Sequence, residues 1–338
     1  MNLAHSGRTG PIPSPVPSPR EHLSSPVTRR MLAVQRRILQ AAREYLTEQG
    51  FMEFLPPLIG PVTDPAVRGA KQVDIDYYGH RYKLMASVIL YKQATMIGHD
   101  RIFYIAPNVR LEPPETAVTN RHLAEFHQID VELAGASRAE ITKIAEQLVI
   151  HVVRRVTEDL PDVLEALGRD LGAFKELLQG LPFEQLTHQA AVRMLRDVQH
   201  DQNPDAEIDW AGEEILSRKA SRPFFLIDYP KGSRGFYDRE NRSHPGRLNN
   251  FDLIAPEGYG ELCSGSEREF EYHRIMARMR ETGENPAKYE WYLTMVREGI
   301  PDSAGFGLGL ERLTRYVCGL DAVWRACAYP KIPGVVSP

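Results

Sequence analysis

The chain has 338 residues, which at roughly 150 residues per domain is room for about two domains or one large domain with an insertion. Apolar residues make up 42% and charged residues 25%, so a soluble protein with a sizeable core is expected. With 41 Lys and Arg against 45 Asp and Glu the net charge is −4, which argues against a generally basic nucleic-acid binder and leaves only a local basic patch open.

Cys263, Cys318 and Cys327 form no CxxC pair and have no His-rich neighbour. A disulfide framework or structural zinc is therefore not expected, and a cytoplasmic location is the default. No apolar run is long enough to span a membrane, and the N-terminus lacks the apolar stretch of a signal peptide.

Residues 1–27 are read as a disordered Pro/Ser-rich arm, with proline at every second position from Pro11 to Pro19. A helix follows, on which Met31, Val34, Ile38, Ala41, Ala42 and Tyr45 recur at helical spacing; Gly50 ends it. Phe51–Ile59, with Pro56 and Pro57 inside, suits an edge or interface strand. Residues 72–85 read as a hairpin around Gly79-His80, 87–97 as a helix, and 101–109 and 126–134 as strands joined by a loop rich in Pro and Glu. Ser137 and Glu140 begin a helix that runs to about Leu160. Residues 161–220 are polar and helical in short pieces.

Strands are expected at 224–228, 250–254 and 259–263, and helices at 267–281 and 286–298. Gly305 to Gly309 reads as a strand-to-helix turn opening a last helix through Leu320. Strands gathered into two groups, with few crossover units, argue for an antiparallel sheet flanked by helices.

Three constellations carry chemistry. Arg110 and Arg121 stand at the two ends of a loop between strands. Two guanidinium forks there could grip a polyphosphate or a carboxylate, and Phe126 offers a face for a base. A salt-bridged surface hairpin is the simpler alternative. Asp252 and Glu261 on neighbouring strands could hold Mg²⁺ with substrate phosphates, and Arg268 could reach a carboxylate; two ordinary strand-end charges would look the same. Gly305 to Leu313 is a glycine-rich turn with Arg312 in the first helical turn, matching neither the dinucleotide nor the Walker pattern.

Taken in order, these segments resemble the signature motifs of class II aminoacyl-tRNA synthetases. Gly50 to Ile59 resembles motif 1, with Pro57 as its proline; Arg110 to Asp130 resembles motif 2; Gly305 to Leu313 resembles motif 3. Leu90-Tyr91-Lys92-Gln93, Gln128-Ile129-Asp130, Asp228-Tyr229-Pro230 and Glu261 to Arg268 bring the match nearest to the aspartyl and asparaginyl subgroup. The resemblance implies an α+β fold: a six- or seven-stranded antiparallel sheet flanked by helices over residues 28–338, with a helical insertion at about 138–220. It also implies a homodimer through motif 1 and amino-acid activation by ATP with Mg²⁺.

By match of position, the resemblance places Arg110, Glu112, Arg121, His122, Phe126, Glu261 and Arg312 at ATP. It places Ser87, Lys92, Asp130, Arg268 and Gly307 at the amino acid, with Arg110, Arg268 and Lys92 as the catalytic set. Asp252, Glu261 and Ser264 would serve the metal.

Lys92 and Arg268 match positions that hold a substrate carboxylate, so an aspartate-like amino acid is expected. Three departures stand beside this. Ile89 replaces a polar residue, basic residues replace an acidic closing loop in 63–71, and about 27 residues leave no space before motif 1 for an anticodon-binding barrel. The resulting expectation is an aspartate-activating, AMP-forming ligase with ammonia or a small amine as acceptor. The alternatives are a tRNA or carrier-protein ligase and a silent paralogue that binds an amino acid or nucleotide.

Overall fold

The computed structural model describes residues 16–65, 70–180 and 182–336. Most of the expected arm lies outside these residues. Its last part does not stay extended. Pro19–Ser24 forms α1, because Ser18 and Glu21 close a reciprocal capping box. α2 follows at Pro26–Glu48 and buries Met31, Val34, Ile38, Ala41, Ala42 and Leu46 along one stripe. Gly50, at φ +79°, turns the chain out of the helix.

Then come β1 (Met52–Phe54), β2 (Ile59–Gly60), β3 (Asp74–Tyr77), β4 (His80–Leu84), α3 (Ile89–Thr95), β5 (Arg101–Val109) and β6 (Glu125–Ala134). Next are α4 (Arg138–Asp159), α5 (Pro161–Glu165), α6 (Lys175–Leu178), β7 (Glu184–Thr187), α7 (His188–Asp197), α8 (Trp210–Lys219) and β8 (Phe224–Ile227). β9 (Asn250–Ala255), β10 (Gly260–Glu267), α9 (Tyr272–Thr282), α10 (Glu290–Glu298), β11 (Ser303–Gly309) and α11 (Leu310–Cys318) complete the chain.

The main sheet has eight strands in the order β1-β5-β6-β11-β10-β9-β8-β7. Six of them, from β5 to β8, pair antiparallel, as expected. The edges differ, because β1 joins β5 and β7 joins β8 in parallel. β2, β4 and β3 form a separate small sheet.

Three expectations are corrected here. Residues 138–220 are not a purely helical insertion. β7 extends the main sheet, and α4 buries Ile141, Leu148, Val149, Val152 and Val156 in the principal core. Glu267 ends β10 instead of starting a helix, and α9 begins only at Tyr272. Gly305, Gly307 and Gly309 lie in strand β11 and not in a turn.

α2, α4 and α11 cover one face of the sheet. Phe103, Ile129, Val131, Phe306, Leu308, Phe251 and Leu253 point into that core. Strand alternation therefore sends residues 128, 130, 132, 305 and 307 to the opposite face.

His188, fully buried at the start of α7, is neutral in the fold. Burial pushes its pKa down to about 4, against the opposing pull of its bond to the Ala206 carbonyl. The unfolded chain takes up a proton near pH 6.5 that the folded chain refuses. Stability should therefore fall by up to about 3 kcal/mol as pH drops from about 6.5 toward 4. Urea melts across that range check this: His188→Gln should flatten the slope, and an unchanged slope would assign it to other groups.

Candidate active site

One register row crosses the polar face of the sheet. Tyr104 pairs with Asp130, Asp130 with Gly307, Gly307 with Ser264, and Ser264 with Asp252. Paired residues share a face. At about 4.8 Å per strand, Asp130 lies roughly 10 Å from Ser264 and about 14 Å from Asp252. Gly307 separates the two ends. A Cβ there would sit 2.7 Å from Gln128 Nε2 and 3.0 Å from Asp130 Oδ1, so the glycine keeps this floor open.

At the Asp130 end lies a buried ionic cluster. Lys92, held on α3, donates to Asp130 Oδ1 at 2.9 Å and to the Phe306 carbonyl at 3.1 Å; its Nζ is 3.6 Å from Glu132 Oε2. Arg268 makes a two-pronged contact with Glu132 at 3.0 and 3.2 Å and lies 3.5 Å from Asp238. Ser303 adds a 2.8 Å bond to Glu132.

Burial works against the Arg268 charge, but Glu132 and Asp238 hold its pKa above the ordinary arginine value. Burial raises the Asp238 carboxyl, against the pull of Arg268. Lys92 and Arg268 are thus not bare cations awaiting one carboxylate, which was the premise for an aspartate-like substrate. Two cations face three carboxylates. Asp130 Oδ2 is buried and accepts no hydrogen bond, which suits an incoming ammonium.

Past the ends of β5 and β11 the site is rich in arginine. Arg110, just past β5, donates from Nε to the Ala86 carbonyl at 2.9 Å, and its guanidinium lies 5.0 Å from the Phe126 ring centre. Arg312 Nη1 meets Glu261 Oε1 at 3.1 Å and the Glu261 carbonyl at 3.2 Å. Glu112 is near enough to add to the field that keeps Arg312 charged against burial. His122 Nδ1 bonds Thr119 Oγ1 at 2.6 Å, and the Ser87 hydroxyl accepts the Ile89 N–H at 3.3 Å where α3 begins.

Arg121 departs from expectation. It does not reach out from its loop but is buried in an ion pair with Glu213 of α8, because that carboxylate also takes the Glu261 N–H and sits beside the chain at Gly260.

Sequence reasoning missed several members. Glu132 lies two residues after Asp130 on one strand, so strand periodicity could have placed it. Arg234 is the larger omission. It bonds Asp252 at 2.6 Å and Ser264 at 2.8 Å. Asp64 is the acidic member of the 63–71 segment expected to be basic. It is buried and accepts the Tyr237 hydroxyl at 2.8 Å; residues 66–69 lie outside the described part. Cys263 packs inside the fold, and burial pushes its thiol well above the usual range.

The metal residues fit a hard cation that also uses substrate phosphates. Asp252 Oδ1 is buried without a partner, and Ser264 stands across from it. Among the described residues no three His, Cys, Asp or Glu side chains gather to hold an ion alone.

A largely antiparallel sheet, with a buried ionic pocket at one end of a row, hard oxygen donors at the other and arginines where β5 and β11 end, defines an enzyme built to join a small ionic substrate to a nucleotide. The chain belongs to the family of class II tRNA synthetases (D, K and N), whose model matches residues 21–333.

It is 33% identical over 323 residues to an asparagine–tRNA ligase of Thermococcus gammatolerans, covering 94% of this chain and 72% of the relative. It is 32% identical over 309 residues to one of Lactobacillus delbrueckii subsp. bulgaricus, covering 91% and 70%. The crystal structure of Pyrococcus horikoshii asparaginyl-tRNA synthetase complexed with asparaginyl-adenylate superposes with a TM-score of 0.89 at 31% identity, over 95% of this chain and 72% of that one. The chain is thus a ligase of the kind that forms an aminoacyl-adenylate. No described helix is long and apolar enough to cross a membrane.

Proposed function

We propose that this protein activates asparagine with ATP as asparaginyl-adenylate and passes it to a tRNA acceptor. The observation that carries the choice of amino acid is the charge balance around Lys92 and Arg268. A substrate carboxylate would add a further negative charge to a cluster where carboxylates already outnumber cations. A neutral amide meets it better, since its oxygen accepts from Lys92 or Arg268 and its NH₂ donates to Glu132 or Asp238. The relatives named as asparagine–tRNA ligases support the same amino acid and acceptor. Ammonia as acceptor, expected from the sequence, gains no support from them.

Asp130 receives the substrate ammonium at its unpartnered Oδ2. The α-carboxylate then lies over Gly307, facing Arg110, Phe126 and Arg312, where the nucleotide binds. One carboxylate oxygen attacks the α-phosphorus in line, and pyrophosphate leaves with the bonding electrons. Arg110 neutralises the charge that develops on the α-phosphoryl oxygens, while the Phe126 ring takes the adenine. Magnesium, when bound, neutralises phosphate oxygens beside Asp252, Ser264 and Glu261.

Arg110→Ala should lower amino-acid-dependent ATP–pyrophosphate exchange by about 10²- to 10³-fold with little change in melting temperature. Exchange within threefold of the parent would remove Arg110 from the reaction.

The homodimer is part of this proposal. Met52, Leu55 and Leu58 expose apolar side chains beside the open edge of β1, Leu55 at 93%. Sedimentation of Leu55→Lys should show monomer where the parent shows dimer. Equal mass for both proteins would place any interface elsewhere.

A further inference from the structure

Arg234, just before the buried Phe236-Tyr237 pair, lies among the expected metal groups. Its guanidinium bonds Asp252 Oδ2 at 2.6 Å and the Ser264 hydroxyl at 2.8 Å, and it meets Glu207 at 2.7 Å from the other side. Its guanidinium carbon lies 4.4 Å from the centre of the Tyr229 ring. The side chain is only 12% exposed, and that of Asp252 only 4%. Burial opposes its charge, but Asp252 and Glu261 more than offset this, so it stays a permanent cation.

Asp252 therefore uses one oxygen for an arginine and keeps the other, Oδ1, buried and without a partner. A divalent ion entering alone must bind beside a fixed positive charge and share a carboxylate that is already neutralised. Glu261, the other carboxylate expected at the metal, is itself paired with Arg312, so repulsion between such charges at contact distance outweighs the attraction that is left in a buried site. An ion arriving with a triphosphate brings its own negative charge, which also satisfies the guanidinium.

We infer that Arg234, clamped by Glu207 and Tyr229 onto Asp252 and Ser264, is the residue that makes divalent-metal binding depend on nucleotide. The site thereby takes the metal–ATP complex and rejects the free ion. Glu207 is a positioning residue: it draws Arg234 from the segment between α7 and α8, which joins that segment to the metal site. The inference rests on the adenylate-forming reading only for the identity of the nucleotide. Metal binding is read without any amino acid, so the two can fail separately.

The test is titration of the full-length protein with Mn²⁺, followed by the electron paramagnetic resonance signal of the free ion. The parent should leave Mn²⁺ free when it is added alone and, with ATP present, should remove more of it than the same ATP does without protein. Arg234→Met should bind Mn²⁺ without ATP about tenfold or more tightly than the parent. Adding Asp252→Asn to that variant should remove the gain.

Parent protein that binds Mn²⁺ equally well with and without ATP overturns the inference, and this needs no variant. So does folded Arg234→Met, checked by circular dichroism, that binds the lone ion no better than the parent. If Arg234→Met does not fold, Arg234→Lys takes its place. A single ammonium cannot bridge Asp252, Ser264 and Glu207 together, so it should also gain affinity for Mn²⁺ alone; no gain counts against the inference.

Discussion

Arg268→Ala is expected to reduce ATP–pyrophosphate exchange by about 10³-fold and to cost about 3–5 kcal/mol of stability. Arg268 supplies the two-pronged contact to Glu132, which is fully buried and, among the described residues, has Ser303 and the more distant Lys92 besides. Removing the guanidinium leaves that carboxylate without its main partner and opens the pocket floor beside the substrate amide. Arg268→Lys keeps the charge but loses the fork, so it should recover part of the stability and little of the activity. Urea melts and exchange rates on the three proteins check this. Full activity in folded Arg268→Ala would separate the ionic cluster from the substrate pocket.

Gly305→Ala is expected to destabilise the protein by about 3 kcal/mol, close to the upper end for overpacking, because the obstacle includes backbone. A Cβ at Gly305 would fall 1.9 Å from Glu132 Oε2 and 2.3 Å from the Val131 carbonyl oxygen. Either the Glu132 carboxylate leaves Arg268 or β11 moves away from β6, and both disturb the pocket. Gly309→Ala is the control. Its Cβ would meet nothing nearer than Arg312 Cβ at 3.5 Å, so stability should change by less than about 1 kcal/mol. Thermal unfolding of both variants tests the claim, and equal melting temperatures would contradict it.

Much of the fold could be read from the sequence because its signals are local. Ser137 with Glu140 marks the start of α4 through a capping box that the structure contains. The tyrosine-rich alternation around Gly79 gives the β3–β4 hairpin. Short elements whose partners are distant were not legible. β7 has four residues and exists because β8 offers a paired edge, so neighbouring sequence carries little trace of it. The glycines of β11 look like a turn in isolation. They belong to a strand because β6 and β10 pair with it on both sides, and Glu132 and Gln128 take the space that side chains at 305 and 307 would fill.

The same contrast holds for the site. Lys92, Asp130, Arg268, Asp252 and Ser264 were found by motif position, and one register row or its ionic cluster gathers them. Their charge partners were not. Glu132 was passed over although it shares a face with Asp130. Arg234 and Glu207 meet only in three dimensions, 27 residues apart in the chain. A pocket's net charge is a sum over all its neighbours, and for that reason the two cations suggest aspartate from sequence while the proposal of asparagine rests on the excess of carboxylates around them.

The most direct measurement is ATP–pyrophosphate exchange by the purified protein with each standard amino acid in turn. Exchange with asparagine at least tenfold above that with aspartate, lost in Arg110→Ala, is the predicted result. Exchange driven by aspartate in preference to asparagine would contradict the charge-balance account of the pocket, and exchange with neither would contradict the proposed substrate altogether.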